Sequence, residues 1–460
     1  MDIGYYYRKP HVRSRIIDFL GGSTPDNATA MFISEGMQPC ETGYEVHSPR
    51  ALDSLLSRGG EVYRSLWDNR FFLIHLDIEY VNFDFPAEPY LDPIRAFGLQ
   101  QPAVRSIQKI LLSSGISPLH ILTGRGHHFI WKIDTRSPAF FRLESIGHVP
   151  SHLKKTYARP HPPDDEPVGG QLSRAFSGVG LLMEFFAHRI LDDARRETAI
   201  PLEVTAVNTG ERMRGCEIVS LDITEYGDPL YTRSIRVPYS LYLKPWHHYG
   251  VITQKTAPHI PVMFLIPQHE CTVEEGIRIM RDMDGVADLA QVGGTHIPEF
   301  SDEMLTLVEQ YMHSDVRRFH QYFYAQDYHP PERWAQTYDR FSYDSLPDFV
   351  SGVLSNPNDS LLTPTGIRNV VRTLMAQQWH PHHITGLIQS KYERDFGWGN
   401  QWYVYDASMR AEFYTRLFAG LLLCGRDNLD GFSGRKTAAG DRSIDTIREK
   451  LKSLAAGGVI

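Results

Sequence analysis

The chain has 460 residues, 42% hydrophobic and 22% charged, which gives room for two or three domains and the make-up of an ordinary soluble protein. A formal net charge of −8 argues against a protein that coats nucleic acid by charge alone, but leaves room for an enzyme with a local basic groove. No apolar run is long enough to span a bilayer, and the start at Met1-Asp2-Ile3-Gly4-Tyr5 lacks the apolar core of a signal peptide; the expectation is a cytoplasmic protein with no membrane partner.

Phe71 to Ile78 is a short apolar run and reads as a buried strand. Between Pro102 and Ser113, Val104, Ile107, Ile110 and Leu111 recur at helical spacing. Ile121-Leu122 and Phe129 to Ile133 read as strands on either side of a glycine turn. Residues 150–170, with five prolines and two glycines among mixed charges, read as a loop. Leu182 to Arg195 reads as an apolar helix, and Ile218 to Leu221 as another strand. This mixture predicts an α/β or α+β catalytic region over residues 1–265.

Residues 266–460 read as mostly helical. Val273 to Leu289, Asp302 to Gln326, Ile367 to Gln378, Ile384 to Tyr392 and Ala407 to Leu423 carry helical spacing. Pro330 to Asp348 reads as an irregular aromatic connector, and Gly431 to Gly440 as a flexible stretch before a short charged helix. Trp379-His380-Pro381-His382-His383 reads as a helix–helix turn rather than a metal cluster, because no fourth ligand is evident. Trp379, Trp398, Trp402 and Tyr403 are either core residues or platforms for stacking bases.

The four cysteines, Cys40, Cys216, Cys271 and Cys424, lie far apart with no Cys-x-x-Cys pair. A structural zinc site on paired thiolates is therefore not expected, and scattered thiols fit a reducing compartment. Basic residues cluster at Arg8 to Arg15, Lys154-Lys155, Arg233 to Lys244 and Arg368 to Arg372.

Three segments carry chemistry. Asp77 and Glu79 alternate along a strand, so both carboxylates point to one face, where a Mg²⁺ or Mn²⁺ pair would relieve their repulsion. Two solvated acids at a strand end fit the same pattern. Thr123-Gly124-Arg125-Gly126-His127-His128 is a turn whose glycines permit close backbone approach to a phosphate, with Arg125 and His128 as donors. A plain hairpin with a structural histidine fits it too. Asp222, after an apolar strand, offers a third metal ligand, and Arg236, Ser240, Tyr242 and Lys244 follow at a spacing that predicts one strand face of donors, or a basic edge strand.

Together these residues resemble the archaeo-eukaryotic primase superfamily, which includes the small catalytic primase subunit and the primase-polymerases. Asp77 and Glu79 match its acidic pair, Thr123, Arg125 and His128 its Ser-Gly-x-Gly-x-His turn, and Asp222 its hydrophobic-hydrophobic-Asp motif. Arg233 to Lys244 is similar to the family's Arg-Leu-Ile-Arg-x-Pro-x-Ser-Leu-His-x-Lys stretch, with Tyr242 in place of His. Thr123 replaces the usual Ser, Ser220 departs from the hydrophobic pair, and the family's zinc knuckle has no counterpart. Gly366-Ile367-Arg368-Asn369 resembles the start of the small helical domain that follows some primase-polymerase cores, over about residues 360–425.

The resemblance implies a primase-polymerase core and a template-directed nucleotidyltransferase that makes primers on single-stranded DNA. Asp77, Glu79 and Asp222 would be the catalytic metal ligands for two Mg²⁺ or Mn²⁺ ions. Thr123, Gly124, Arg125, His128, Arg236, Ser240 and Lys244 would bind the NTP or dNTP. The implied partners are a single-stranded DNA template and nucleoside triphosphates, with a helicase or accessory primase subunit as further candidates. The rival readings are a primer-extending repair polymerase, a catalytically idle nucleic-acid-binding protein of the same fold, and a metal-dependent nuclease.

Overall fold

The computed structural model describes the chain apart from residues 1, 36–44, 209–216, 248–255, 356–360, 362, 393–405, 430–441 and 457–460. Its strands are β1 Ile33–Glu35, β2 Val46–His47, β3 Val62–Ser65, β4 Phe71–Asn82, β5 Leu119–Leu122, β6 Gly126–Asp134, β7 Pro160–His161, β8 Glu166–Pro167, β9 Leu202–Val204, β10 Glu217–Asp222, β11 Ser234–Arg236 and β12 Ile266–Pro267. The larger sheet has six strands in the order β12-β5-β6-β4-β10-β9, with β9 parallel to β10 and the other pairs antiparallel. A second, antiparallel sheet runs β11-β3-β1-β2. The fold is mixed α and β, and the main sheet takes its edge strand from β12, just past residue 265.

β4 organises the rest because it lies in the middle of the larger sheet and both of its faces are covered. Phe72, Ile74, Leu76 and Ile78 are buried on one face. That face packs under two long helices, α1 (Pro93–Ser113) and α3 (Gly170–Ala194); between them in sequence lies α2 (Ser151–Tyr157). Ring contacts fix both coverings: Phe72 meets Phe176 of α3 at 6.2 Å, and Phe97 of α1 meets His127 of β6 at 5.1 Å. The period of two along a strand then sends His75, Asp77 and Glu79 to the opposite face.

The first-half elements are longer than their apolar spacing suggests. α1 begins at Pro93 behind an Asp92 cap, and Pro102 lies inside it rather than at its start. α3 begins at Gly170, twelve residues before the first strongly apolar stretch. Residues 150–170 are not simply a loop: α2 and the β7–β8 hairpin occupy much of the segment.

In the second half, side-chain caps split two expected helices. α4 (Val273–Ile279) opens on a Thr272–Glu275 capping box, and Asp282 caps a separate α5 (Met283–Val292). α6 (Ser301–Met312) and α7 (Asp315–Phe323) are divided where the Ser314 hydroxyl accepts from the Arg317 amide at 3.0 Å. α8 (Pro364–Met375), α9 (Pro381–Tyr392), α10 (Ala407–Leu423) and α11 (Arg442–Ala456) follow; Trp379 and His380 lie in the α8–α9 turn as read, whereas Pro381, His382 and His383 open α9 itself. Cys40, Cys216, Trp398, Trp402, Tyr403 and the 431–440 stretch lie outside the described residues. No helix among the described residues is long and apolar enough to cross a membrane.

Charged residues, buried and paired, join the helical half to the first. Arg416 of α10 donates to Glu184 of α3 at 2.7 and 3.0 Å, and His320 of α7 meets the same carboxylate at 2.9 Å. Arg368 and Arg372, which read as a basic cluster, are buried beside Glu203 and Asp427 respectively and form no surface patch. Burial would raise the Glu184 carboxyl, but Arg416 and His320 outweigh it and hold the group below its ordinary range. Its stabilisation is therefore present above the usual carboxylate range and fades as acid protonates it. Replacing Arg416 by alanine should cost about 3–5 kcal/mol in urea unfolding at pH 7, because a buried charge loses its main partner. The difference from wild type should shrink in acid.

Candidate functional site

Strand register alone assembles the acidic centre. Asp77 on β4 lies directly opposite His128 on β6 and Asp222 on β10. One row along, Glu79 stands between Gly126 and Ser220. Asp77, Glu79 and Asp222 each present a carboxylate oxygen within 4.8 Å of the others. These are the three acids expected from the sequence, and they face away from the two long helices.

The neighbours differ in what they do for each acid. Glu79 is held by Arg125 and by Lys244, whose Nζ is 2.7 Å away. Burial would raise this carboxyl, but the two cations overcome that and push it well below its ordinary range. Asp77 has no such cover. Burial, then Glu79 and Asp222, push it well above the usual carboxylate range, and its Oδ1 is buried without a hydrogen-bond partner. Asp222 Oδ1 accepts from the Thr224 amide at 3.0 Å and the Thr224 hydroxyl at 2.6 Å, which fixes the carboxylate at the end of β10.

The glycine turn between β5 and β6 is braced from inside. Thr123 Oγ1 accepts from the Gly126 amide at 3.1 Å, and the Arg125 carbonyl accepts from Tyr80 of β4 and Gln100 of α1. A Cβ at Gly126 would lie 1.9 Å from the Ile78 carbonyl, and one at Gly124 would lie 2.3 Å from the Tyr242 ring. Both glycines thus serve contacts within the protein: one lets β6 close on β4, the other seats an aromatic ring. His128 Nε2 is 3.5 Å from Asp77 Oδ2, and burial, with His75 and Arg236, holds the ring neutral. His127, on the other face, is buried against Phe97 and bonds His120 at 2.9 Å, so it is structural.

The expected row of donors from Arg236 to Lys244 is not a strand face. β11 ends at Arg236, the chain turns through Tyr239 with φ +64°, and Lys244 opens the short helix Lys244–His247. Ser240 is fully buried and its hydroxyl donates to the Val237 carbonyl at 2.7 Å, so it braces the turn and does not join the acids. Arg236 and Lys244 still converge on the centre by this route. The Arg236 guanidinium lies 5.0 Å from both the Tyr63 and the Tyr242 ring centroids, with Glu61 3.8 Å from its Nε. The pleat expected for this stretch fails because Pro238 and the left-handed Tyr239 cannot continue a ladder.

His75 and Glu225 belong to the site and escaped the sequence reading. His75 is two residues before Asp77 on the same strand face, and its ring meets His128 edge-on at 4.5 Å. Glu225 meets its Nδ1 at 2.9 Å. The alternation His75-x-Asp77-x-Glu79 carried that signal, but only the tertiary structure supplies Glu225.

Asp77 Oδ1 is joined by further buried polar atoms without hydrogen-bond partners around the carboxylates, among them His75 Nε2, His128 Nδ1, Arg125 Nε and Ser220 Oγ. Such atoms are costly unless something polar meets them. Three converging carboxylates, one of them uncompensated, suit a hard divalent cation with oxygen ligands. No family model, curated protein or solved structure matches this chain.

Adding Mg²⁺ or Mn²⁺ should raise the melting temperature of the protein, by the equivalent of about 2.7 kcal/mol at 100 times the dissociation constant. Asp77→Asn should melt higher than wild type without added metal, because it removes the uncompensated charge, and should lose the metal-dependent rise. Differential scanning calorimetry with and without EDTA checks both.

Proposed function

We propose that this protein is a template-directed nucleotidyltransferase of the primase-polymerase kind, acting on single-stranded DNA with nucleoside triphosphates as substrates. One observation carries the reading: three carboxylates and the cations Arg125 and Lys244 meet in one partly buried place, with Glu79 shared between the two sets. A metal–triphosphate carries the complementary pair of charges. Its cation matches the carboxylates and its phosphates match Arg125 and Lys244, so ion pairs within the protein are exchanged for ion pairs with substrate.

Asp77, Glu79 and Asp222 would hold Mg²⁺ or Mn²⁺, which when bound supplies Lewis-acid activation of a hydroxyl and neutralises the leaving pyrophosphate. Arg125, which pairs with Glu79 in this structure, would fork onto phosphate oxygens once Glu79 served as a metal ligand. Lys244 adds a point charge beside it. His128, held neutral, offers a hydrogen bond and no charge. Glu225 fixes the His75 ring, which in turn abuts His128. Thr123 keeps the turn rigid, so that Arg125 is positioned before substrate arrives. Arg236, held between Tyr63 and Tyr242, extends the cationic wall. No covalent enzyme intermediate is needed: positioning and charge stabilisation are sufficient for phosphoryl transfer.

The test is incorporation of labelled nucleotides on primer-free single-stranded DNA, with ribonucleotides and deoxynucleotides in separate reactions. Asp77→Ala with Glu79→Ala should abolish product, a loss of at least about 10³-fold. Lys244→Ala should weaken nucleotide use about tenfold or more while the protein stays folded. Extension of a supplied primer without initiation would assign a polymerase that cannot start chains. Metal-dependent cleavage of the template without incorporation would assign a nuclease and overturn the reading.

A further inference from the structure

A cavity of about 620 Å³ opens in the helical half, among residues that the carboxylate site does not use. That volume lies within the roughly 300–1,000 Å³ of small-molecule sites. Its walls come from the end of α7, the irregular connector after it, and the α8–α9 turn. The apolar part is aromatic: Tyr322, Tyr338, Phe341 and Trp379. Trp379 is half-buried, with Phe341 edge-on at 4.7 Å and Tyr338 stacked at 6.5 Å.

The backbone is arranged to present this tryptophan. α8 ends through Gln378, a non-glycine residue at φ +64°, and the Trp379 amide donates to the Leu374 carbonyl at 3.1 Å. This is the reversed helix end that glycine usually provides.

The polar part has a definite sign. Arg340, which is exposed, is the permanently charged residue on the wall, and no carboxylate lines the cavity among the described residues. Of the three histidines on the wall, His329, His380 and His383, burial holds His380 down to about 4 and lowers His383, so these last two are neutral at pH 7. Gln326 and Gln378 add amides, each both donor and acceptor. A second cavity of about 510 Å³ meets the first at Gln378, and Lys450 of α11 lines it. Aromatic faces, amide edges and a cation at each of two adjoining cavities match a base, its hydrogen-bonding edge and successive phosphates. A lipid chain would make no use of the exposed Gln326 and Gln378 amides or of the Arg340 charge at the rim.

We infer that this cavity binds a nucleotide unit of single-stranded nucleic acid, its base against Trp379 and its phosphate at Arg340, with the strand continuing past Gln378 toward Lys450. The choice of a strand over a free nucleotide rests on the polymerase reading; the base-plus-phosphate chemistry does not.

The experiment is fluorescence anisotropy of a labelled oligodeoxythymidylate, with AMP as the unlabelled competitor. It uses full-length protein carrying Asp77→Ala and Glu79→Ala, in EDTA, so that the carboxylate site contributes nothing and its failure as a polymerase does not enter. Trp379→Ala should weaken binding about tenfold or more, the scale of a lost base stack. Trp379→Phe should keep most of the affinity. Arg340→Glu, at an exposed position, should weaken binding and lower the salt dependence by about one phosphate contact. Affinity that grows with oligonucleotide length supports the strand. AMP competing equally well, with no gain from length, keeps the nucleotide site and assigns it to a free nucleotide. Binding unchanged in both Trp379→Ala and Arg340→Glu, with circular dichroism showing folded protein, overturns the inference, as does no binding of either probe to the parent protein.

Discussion

Burying like charges side by side is the constraint around which the first half of this protein is built. Asp77 and Asp222 stand directly opposite each other on adjacent strands, and Glu79 is one row away. In a buried setting this repulsion costs several kcal/mol unless cations answer it. Glu79 is answered by Arg125 and Lys244, and Asp222 is pinned by Thr224. Asp77 is left with the strain, which appears as a carboxyl pushed toward its neutral form. A group of this kind at the centre of the main sheet lowers the stability of the fold around neutral pH.

Everything around the acids limits their freedom. Gly126 lets β6 close on β4 where a side chain would strike the Ile78 carbonyl. Tyr242 fills the notch left by Gly124 and, with Tyr63, flanks Arg236. The loop after Asp222 is held by the helical half. Buried Asp228 accepts from Nε and Nη2 of Arg410 of α10, each at 2.7 Å, and pairs with Arg233 as well. Phe413 of α10 lies where a side chain at Gly227 would go. The helices that look like an appendage in sequence thus buttress the strand end that carries the third acid.

The two halves also divide polar chemistry between them. The first half concentrates charge in a buried cluster suited to phosphates and cations. The second buries Arg368 and Arg372 in ion pairs and leaves an aromatic cavity with Arg340 exposed at its wall. The overall negative charge is compatible with both, because each site controls its own field at a distance shorter than the screening length of about 10 Å.

The sequence by itself determined whatever depends on local period and local chemistry. It determined the strand carrying Asp77 and Glu79 on one face, the glycine turn with His128 and His127 on opposite faces, the apolar strand leading into Asp222, and α10 to its last residue. Alternation is a short-range property, so residues two apart report their own geometry. Pairing across the chain is not short-range. Nothing local told that Lys244 reaches Glu79 from a helix start and not from a strand, that Ser240 braces a turn, or that Glu225 orients His75. The same holds for Arg368 and Arg372, basic in sequence but buried beside Glu203 and Asp427. Helix boundaries failed for a related reason: α1 and α3 start in polar or proline-bearing segments whose helicity comes from packing on the sheet, and the two split helices were divided by single capping side chains. Tertiary structure decided these points because a buried charge takes its meaning from the partner that the fold brings to it.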